Sequence, residues 1–154
     1  MGITFQKELI ELLEKRDTVK ILATTDDKGA PHVVVKQSLQ LNESNQLIYF
    51  ELLESSQTNK NLVRSMWFNR PITVAVIGTE GESYQIKGKS VKTIVSGLLF
   101  RDYYVQIREQ LGDVDLAAVW VIEPLEVINQ SFDARSREEE IKHPYFKHLD
   151  RLAK

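Results

Sequence analysis

The alternation of apolar and polar positions divides the chain into short elements of two periods. Over residues 3–16, Phe5, Leu9, Ile10, Leu12 and Leu13 recur on one helical face while Lys7, Glu8, Glu11 and Glu14 take the other, which predicts an amphipathic helix with Thr4 available as a cap. Residues 20–25 (KILATT) read as a short strand. Asp26, Asp27, Lys28 and Gly29 then have the chemistry of a tight hairpin turn, with Gly29 free to take positive φ. After Pro31 a longer strand is expected over residues 32–41, with Val33, Val35, Leu39 and Leu41 on one face and Val34, Lys36, Ser38 and Gln40 on the other. A turn at 42–45 leads to a returning strand at 46–52 (QLIYFEL), so the two strands form a hairpin.

The period changes again at residues 55–69, where Leu62, Val63, Met66 and Trp67 fall at helical spacing and Asn69, Arg70 and Pro71 end the run. The continuous apolar run ITVAVI at 72–77 has the length of a central strand, and 83–95 reads as a long strand with Gly88 as a bulge or bend. A helix is predicted over 97–112, stopped by Gly112, and a last strand over 116–130, bent at Pro124. Residues 137–152 form a charged, partly helical segment interrupted at His143 and Pro144. About six strands interleaved with short helices and joined by hairpin-length loops predict an α+β fold, an antiparallel β-barrel with flanking helices. The chain reads as one domain over residues 1–154, with an N-terminal helix within 1–17 and a charged extension over 131–154.

Composition narrows the function classes. There is no cysteine among the 154 residues, which removes disulfides, thiol catalysis and thiolate metal sites. Twenty Lys and Arg against 22 Asp and Glu lack the basic excess of a nucleic-acid binder. The early charges Lys7 and Glu8 interrupt any signal-peptide core, and no window has the length of a membrane span, so a soluble cytoplasmic protein is expected. No metal site is expected either: His143 and His148 are five apart and do not share a helical face. Neither a Gly-rich nucleotide fingerprint nor a supported Ser/His/Asp order is present, so no catalytic residue is assigned, and any redox chemistry belongs to a cofactor.

Two places carry candidate chemistry. From Ser55 to Asn61 the start of a helix holds hydroxyls, amides and one lysine but no acid. Free backbone N–H groups, hydroxyls and amides directed at one small volume suit a phosphate, although an ordinary capped helix has the same composition. Lys36 lies in a valine-rich strand, either solvated on an outward face or paired with an anion. His32, at a strand edge, is open to a structural role or a site role.

The segments GAPHVVVKQS, LIYFELLESSQTNKNLVRSMWFNRPITVAVIG and YQIKGKSVK follow the order of elements in the flavin-binding split-barrel family, which includes pyridoxamine-phosphate oxidases and small FMN-binding proteins. The resemblance covers residues 18–130. It implies a split β-barrel that binds FMN, with Val35, Lys36 and Gln37 beside the isoalloxazine and ribityl chain and Ser56, Gln57 and Thr58 at the phosphate. It also implies a homodimer with the flavin between protomers, Val34 and Trp120 lying on strands that contribute to the interface, and a small-molecule substrate or electron donor. The chain departs from the oxidases at Val34, where they carry arginine, and at Gln57 and Thr58, where they carry an Arg-Lys pair. It also lacks their C-terminal Arg- and Trp-containing motif over 126–154, so pyridoxamine-phosphate oxidation is not expected. A split-barrel binding protein without catalysis, or one using a deazaflavin or haem, is the alternative.

Overall fold

The computed structural model describes residues 3–144. Four helices and seven strands alternate along the chain: α1 (Lys7–Glu14), β1 (Val19–Thr25), β2 (Pro31–Val35), β3 (Gln40–Leu41), β4 (Leu47–Glu51), α2 (Gln57–Phe68), β5 (Ile72–Ile77), β6 (Ser83–Ile94), α3 (Gly97–Leu111), β7 (Ala118–Asn129) and α4 (Phe132–Lys142). All strands belong to one antiparallel sheet in the order β2-β1-β5-β6-β7-β4-β3. This is an α+β split barrel. No helix among the described residues is long and apolar enough to cross a membrane.

Sequence order and sheet order together explain why the sheet curls. The edge strands β2 and β3 are consecutive in the chain, separated only by Lys36, Gln37, Ser38 and Leu39. Four residues cannot span a flat sheet of seven strands spaced about 4.8 Å apart, so the edges must meet. The expected single strand over 32–41 is therefore two strands joined by a turn, closed by Leu39 N–H donating to the Lys36 carbonyl at 3.2 Å. The turn also breaks the face assignment: Val33 and Val35 are 61% and 58% exposed, whereas Leu39 is fully buried.

Side chains continue the ladder across this corner. The Gln37 amide accepts from Lys20 N–H and donates to the Thr18 carbonyl, both at 2.9 Å, on the β1 side. On the β4 side, Ser38 Oγ accepts from Phe50 N–H at 3.2 Å and donates to the Phe50 carbonyl at 3.4 Å. Lys36 N–H adds a backbone bond to the Lys20 carbonyl at 2.8 Å.

Two cores follow from the curl. Inside the barrel, Leu22, Val74, Ile86, Leu47, Tyr49, Trp120 and Ile122 pack with Leu9, Leu12 and Leu13 of α1. Outside it, Ile48, Phe50, Val119 and Val121 meet Ile107 of α3 and Leu116. The middle of the barrel wall, β4 and the first half of β7, is thus buried on both faces, which is why LIYFE and AVWVI read as continuous apolar runs without alternation. Trp120 belongs to the interior core, with its indole N–H donating to Asn59 Oδ1 at 2.8 Å, so its side chain is unavailable to an interface.

Several local expectations hold. Gly29 takes φ +81°, and Asp26 Oδ1 accepts from Lys28 and Ala30 N–H to close the hairpin. The register of β6 on β7 shifts beside Gly88, where an added Cβ would stand 2.6 Å from the Glu123 carbonyl oxygen, and β7 passes Pro124 there. Helix α1 starts later than expected: residues 3–6 lie outside it, Phe5 inserts into the core, and Gln6 rather than Thr4 precedes the helix without a side-chain cap. The charged C-terminal helix begins at Phe132 and ends, as expected, at His143; His148 lies outside the described residues.

Replacing Gln37 by Ala should remove both side-chain bonds to β1 and lower unfolding free energy by about 1–2 kcal/mol, since each such bond contributes about 1 kcal/mol net. Urea denaturation should show a lower midpoint at unchanged slope; an unchanged midpoint would dismiss the corner as a closure device.

Candidate functional site

The corner is also where the candidate residues gather. Val35, Lys36 and Gln37 line a cleft of about 640 Å³ between the end of β2, the end of β4 and the last turns of α3. Tyr49, Glu51 and Leu53 contribute from the β4 side, Ile107 and Leu111 from α3. The lysine is half-buried, enters no ion pair among the described residues, and holds its ammonium 5.2 Å from the centroid of the Tyr49 ring. A cation over an aromatic face is stabilised by the ring quadrupole while its remaining directions stay open to a ligand.

Tyr49 and Glu51 were not singled out in the sequence, and both shape the site. The Tyr49 hydroxyl is buried and makes no hydrogen bond of acceptable geometry among the described residues. Burial, reinforced by the negative charge of nearby Glu51 and by the hydroxyl's approach to that carboxylate, pushes its pKa far up, so this hydroxyl remains a protonated donor. Its neighbouring acceptor, Glu51, is out of good hydrogen-bond geometry, and the residue lines the cleft. Glu51 is only 2% exposed, yet its carboxylate is well supplied: Leu52 and Leu53 N–H donate to Oε2 at 3.1 and 3.4 Å, and the Ser56 hydroxyl donates to Oε1. The signal for Glu51 in the sequence is an acid closing an apolar strand five residues before a helix cap.

The start of α2 follows directly. Ser56 is the N-cap, as expected, its hydroxyl accepting from Asn59 N–H at 3.0 Å. Thr58 is turned inward, 1% exposed, with Oγ1 at 3.2 Å from His32 Nε2 of β2, so His32 takes a structural tie. The Gln57 amide donates to Asn61 Oδ1 at 2.8 Å. Asn61 in turn reaches Thr24 Oγ1 at 3.0 Å, which fastens the helix to β1.

The structure therefore brings Val35, Lys36 and Gln37 to one cleft and places Ser56, Gln57 and Thr58 just past its Glu51 end. All three α2 side chains are already bonded within the protein. What remains unpartnered among the described residues at this helix start is the backbone N–H of Gln57 and of Thr58, at the positive end of a 12-residue helix with no acid in its first turn.

With the geometry in hand, comparison with known proteins identifies the class. No family model matches the sequence, and no curated protein does. Solved structures do match. HupZ from Group A Streptococcus superposes with a TM-score of 0.70 at 22% identity, covering 84% of this chain and 96% of that one. An FMN-binding protein from Syntrophomonas wolfei gives 0.64 at 14% identity, over 82% and 88% of the two chains. HutZ, the haem storage protein from Vibrio cholerae, gives 0.57 at 14% identity, over 82% and 90%. The protein has the split-barrel fold of these structures along nearly their whole length.

Ser56→Ala removes both the helix cap and one donor to a buried carboxylate, so a loss of about 2–3 kcal/mol in unfolding free energy is expected. Ser56→Thr, which keeps the hydroxyl, should restore most of it. Equal stabilities of the alanine and threonine variants in thermal denaturation would mean that the Glu51–Ser56 contact contributes nothing.

Proposed function

We propose that the cleft at the corner binds FMN and that the protein carries out flavin-dependent redox chemistry with a small-molecule substrate or electron donor. The observation that carries this reading is an ammonium without a counter-ion among the described residues, Lys36, set over the Tyr49 ring in one largely apolar cleft. Such a cation suits an electron-rich planar ring with anionic character, and the apolar side chains of Val35, Ile107 and Leu111 suit its faces. The fold shared with an FMN-binding protein supports the choice of cofactor.

A bound flavin would supply hydride or electron transfer, and this chain's residues would orient and tune it. Lys36 places positive charge where a reduced ring accumulates negative charge, favouring the reduced state. Tyr49, held protonated, would be available to a bound ring as a donor. The Gln57 and Thr58 N–H groups receive the phosphate at the helix start, while Ser56 acts as their cap. Glu51 disfavours a second negative charge near the same place, which makes phosphate capture weaker than at an acid-free helix start.

A second reading, in which the cleft takes a haem rather than a phosphorylated flavin, is supported by the likeness to a haem storage protein. The visible spectrum of the purified protein, and of apoprotein titrated with each cofactor, separates the two: oxidised flavin is yellow, whereas haem has a Soret band. Under the FMN reading, Lys36→Met should weaken FMN binding by about 1–2 kcal/mol, roughly 5- to 30-fold, and lower the flavin midpoint potential at matched ionic strength. If neither quantity moves, Lys36 serves the solvent and not the ring.

The exposed side chains of Val33, Val35 and Leu53 border the same region. We infer that a homodimer covers them and completes the site, so association and FMN binding are linked by mass action. Sedimentation equilibrium should show FMN shifting the protein towards dimer and Val35→Glu shifting it towards monomer. A monomer that retains stoichiometric FMN would defeat this geometry.

A further inference from the structure

Glu51 is pinned at the end of β4 by the strand beside it. Its position in the ladder faces Ala118 of β7, and its carbonyl accepts from Ala117 N–H at 2.8 Å. The chain then turns at once, with Ser56 N–H donating to the Leu53 carbonyl at 3.0 Å, and this turn wraps around the Glu51 side chain. Two successive backbone N–H groups, of Leu52 and Leu53, converge on its Oε2, and the cap hydroxyl of α2, Ser56, donates to Oε1. Consecutive N–H groups and a hydroxyl at a helix start are a donor set suited to an oxyanion. Here the oxyanion belongs to the turn itself.

Charge, not hydrogen bonding, is what a glutamate adds at this place. A glutamine could accept from Leu52 and Leu53 through its carbonyl and donate to the Ser56 hydroxyl, so the same contacts are open to a neutral side chain. A carboxylate only 2% exposed, in no ion pair among the described residues, carries a desolvation cost that its neutral donors must offset. It also sets a fixed negative field at the cap of α2, where burial limits screening by solvent. Glu54, the other acid beside the helix start, is exposed and therefore screened. The N–H groups of Gln57 and Thr58 lie one and two residues beyond the cap. A phosphate dianion approaching them meets the field of Glu51, whereas an uncharged chain end does not.

We propose that Glu51 is the specificity-determining residue at the α2 end of the cleft, discriminating against ligands that end in a phosphate dianion. This rests on the flavin reading of the cleft and deepens it. Glu51 cancels the advantage that a terminal phosphate would gain at α2, so the cleft selects its ligand by the ring and holds the dephosphorylated flavin, riboflavin, about as well as FMN.

Two titrations of the full-length protein test this. In the first, inorganic phosphate is added to nitrogen-15-labelled protein at constant ionic strength, and the amide resonances of Gln57 and Thr58 are followed. Glu51→Gln should bind phosphate about 10-fold more tightly than wild type, while Glu51→Asp, which keeps the charge, should stay near wild type. In the second, flavin fluorescence reports the affinities of FMN and riboflavin. Wild type should favour FMN by no more than about 3-fold, and Glu51→Gln should raise that preference by about 10-fold. An unchanged phosphate affinity in Glu51→Gln, equal gains in Glu51→Asp and Glu51→Gln, or an unchanged FMN-to-riboflavin ratio with both flavins bound overturns the proposal. Should Glu51→Gln not fold, wild type still decides, because a preference for FMN of about 100-fold would show the phosphate unopposed. If the phosphate response appears as expected and no variant binds either flavin, the role of Glu51 stands and the flavin reading alone falls.

Discussion

Everything distinctive about this molecule depends on closing a seven-stranded sheet with four residues. The corner of Lys36, Gln37, Ser38 and Leu39 must join the two sheet edges, and backbone alone cannot complete the ladder there because the turn diverts its N–H and C=O groups. Gln37 and Ser38 supply the missing donors and acceptors from their side chains, one towards β1 and the other towards β4. An amide and a hydroxyl are the right groups for this, since each both donates and accepts. Closure by side chains leaves space on both flanks of the corner, and a cavity lies on each, with Gln37 and Ser38 common to their walls.

A second constraint fixes where α2 can start. The helix is tied to the barrel by polar contacts rather than by a broad apolar stripe: Thr58 to His32, Asn61 to Thr24, and Asn59 to Trp120. Such bonds are directional, so they set the rotation and register of the helix more tightly than greasy contacts would. They also use up the side chains that a phosphate would otherwise recruit, and Glu51 adds a carboxylate bonded to the cap. Under the proposed reading, anion recognition at this helix would fall to the backbone, and ring recognition to the Lys36 end of the cleft.

The sequence discloses the elements far better than their junctions. Strand and helix periods locate β1, β4, β5, α2 and α3 to within a few residues, and Gly29, Gly88 and Gly112 mark real backbone requirements. The break at Gln37 is hidden because PHVVVKQSLQL contains no Gly or Pro to punctuate it; the turn is imposed by closure, a long-range condition absent from local pattern. The same condition inverts Val33 and Val35 relative to Leu39. Trp120 is read as an interface residue only while the helix that buries its indole N–H is unseen. At the site, Lys36 and Ser56 are visible as candidates because their residue types are unusual in context. Tyr49 and Glu51 are invisible, since in LIYFEL a tyrosine and a terminal glutamate look like ordinary strand composition.

The two lysines at the corner show how one turn sets two environments. Lys36 leaves the turn outward, keeps part of its surface in solvent and gains an aromatic face. Lys20 faces inward from the neighbouring strand, and its amine meets the Leu39 carbonyl at the far side of the same turn. Burial on this side lowers its pKa from the ordinary lysine value. The difference is not in residue type or in distance along the chain but in which side of Gln37 and Ser38 each stem passes. One closure thus sets two lysines in different surroundings: an aromatic face beside solvent for Lys36, and a backbone carbonyl at the edge of a largely polar cavity for Lys20.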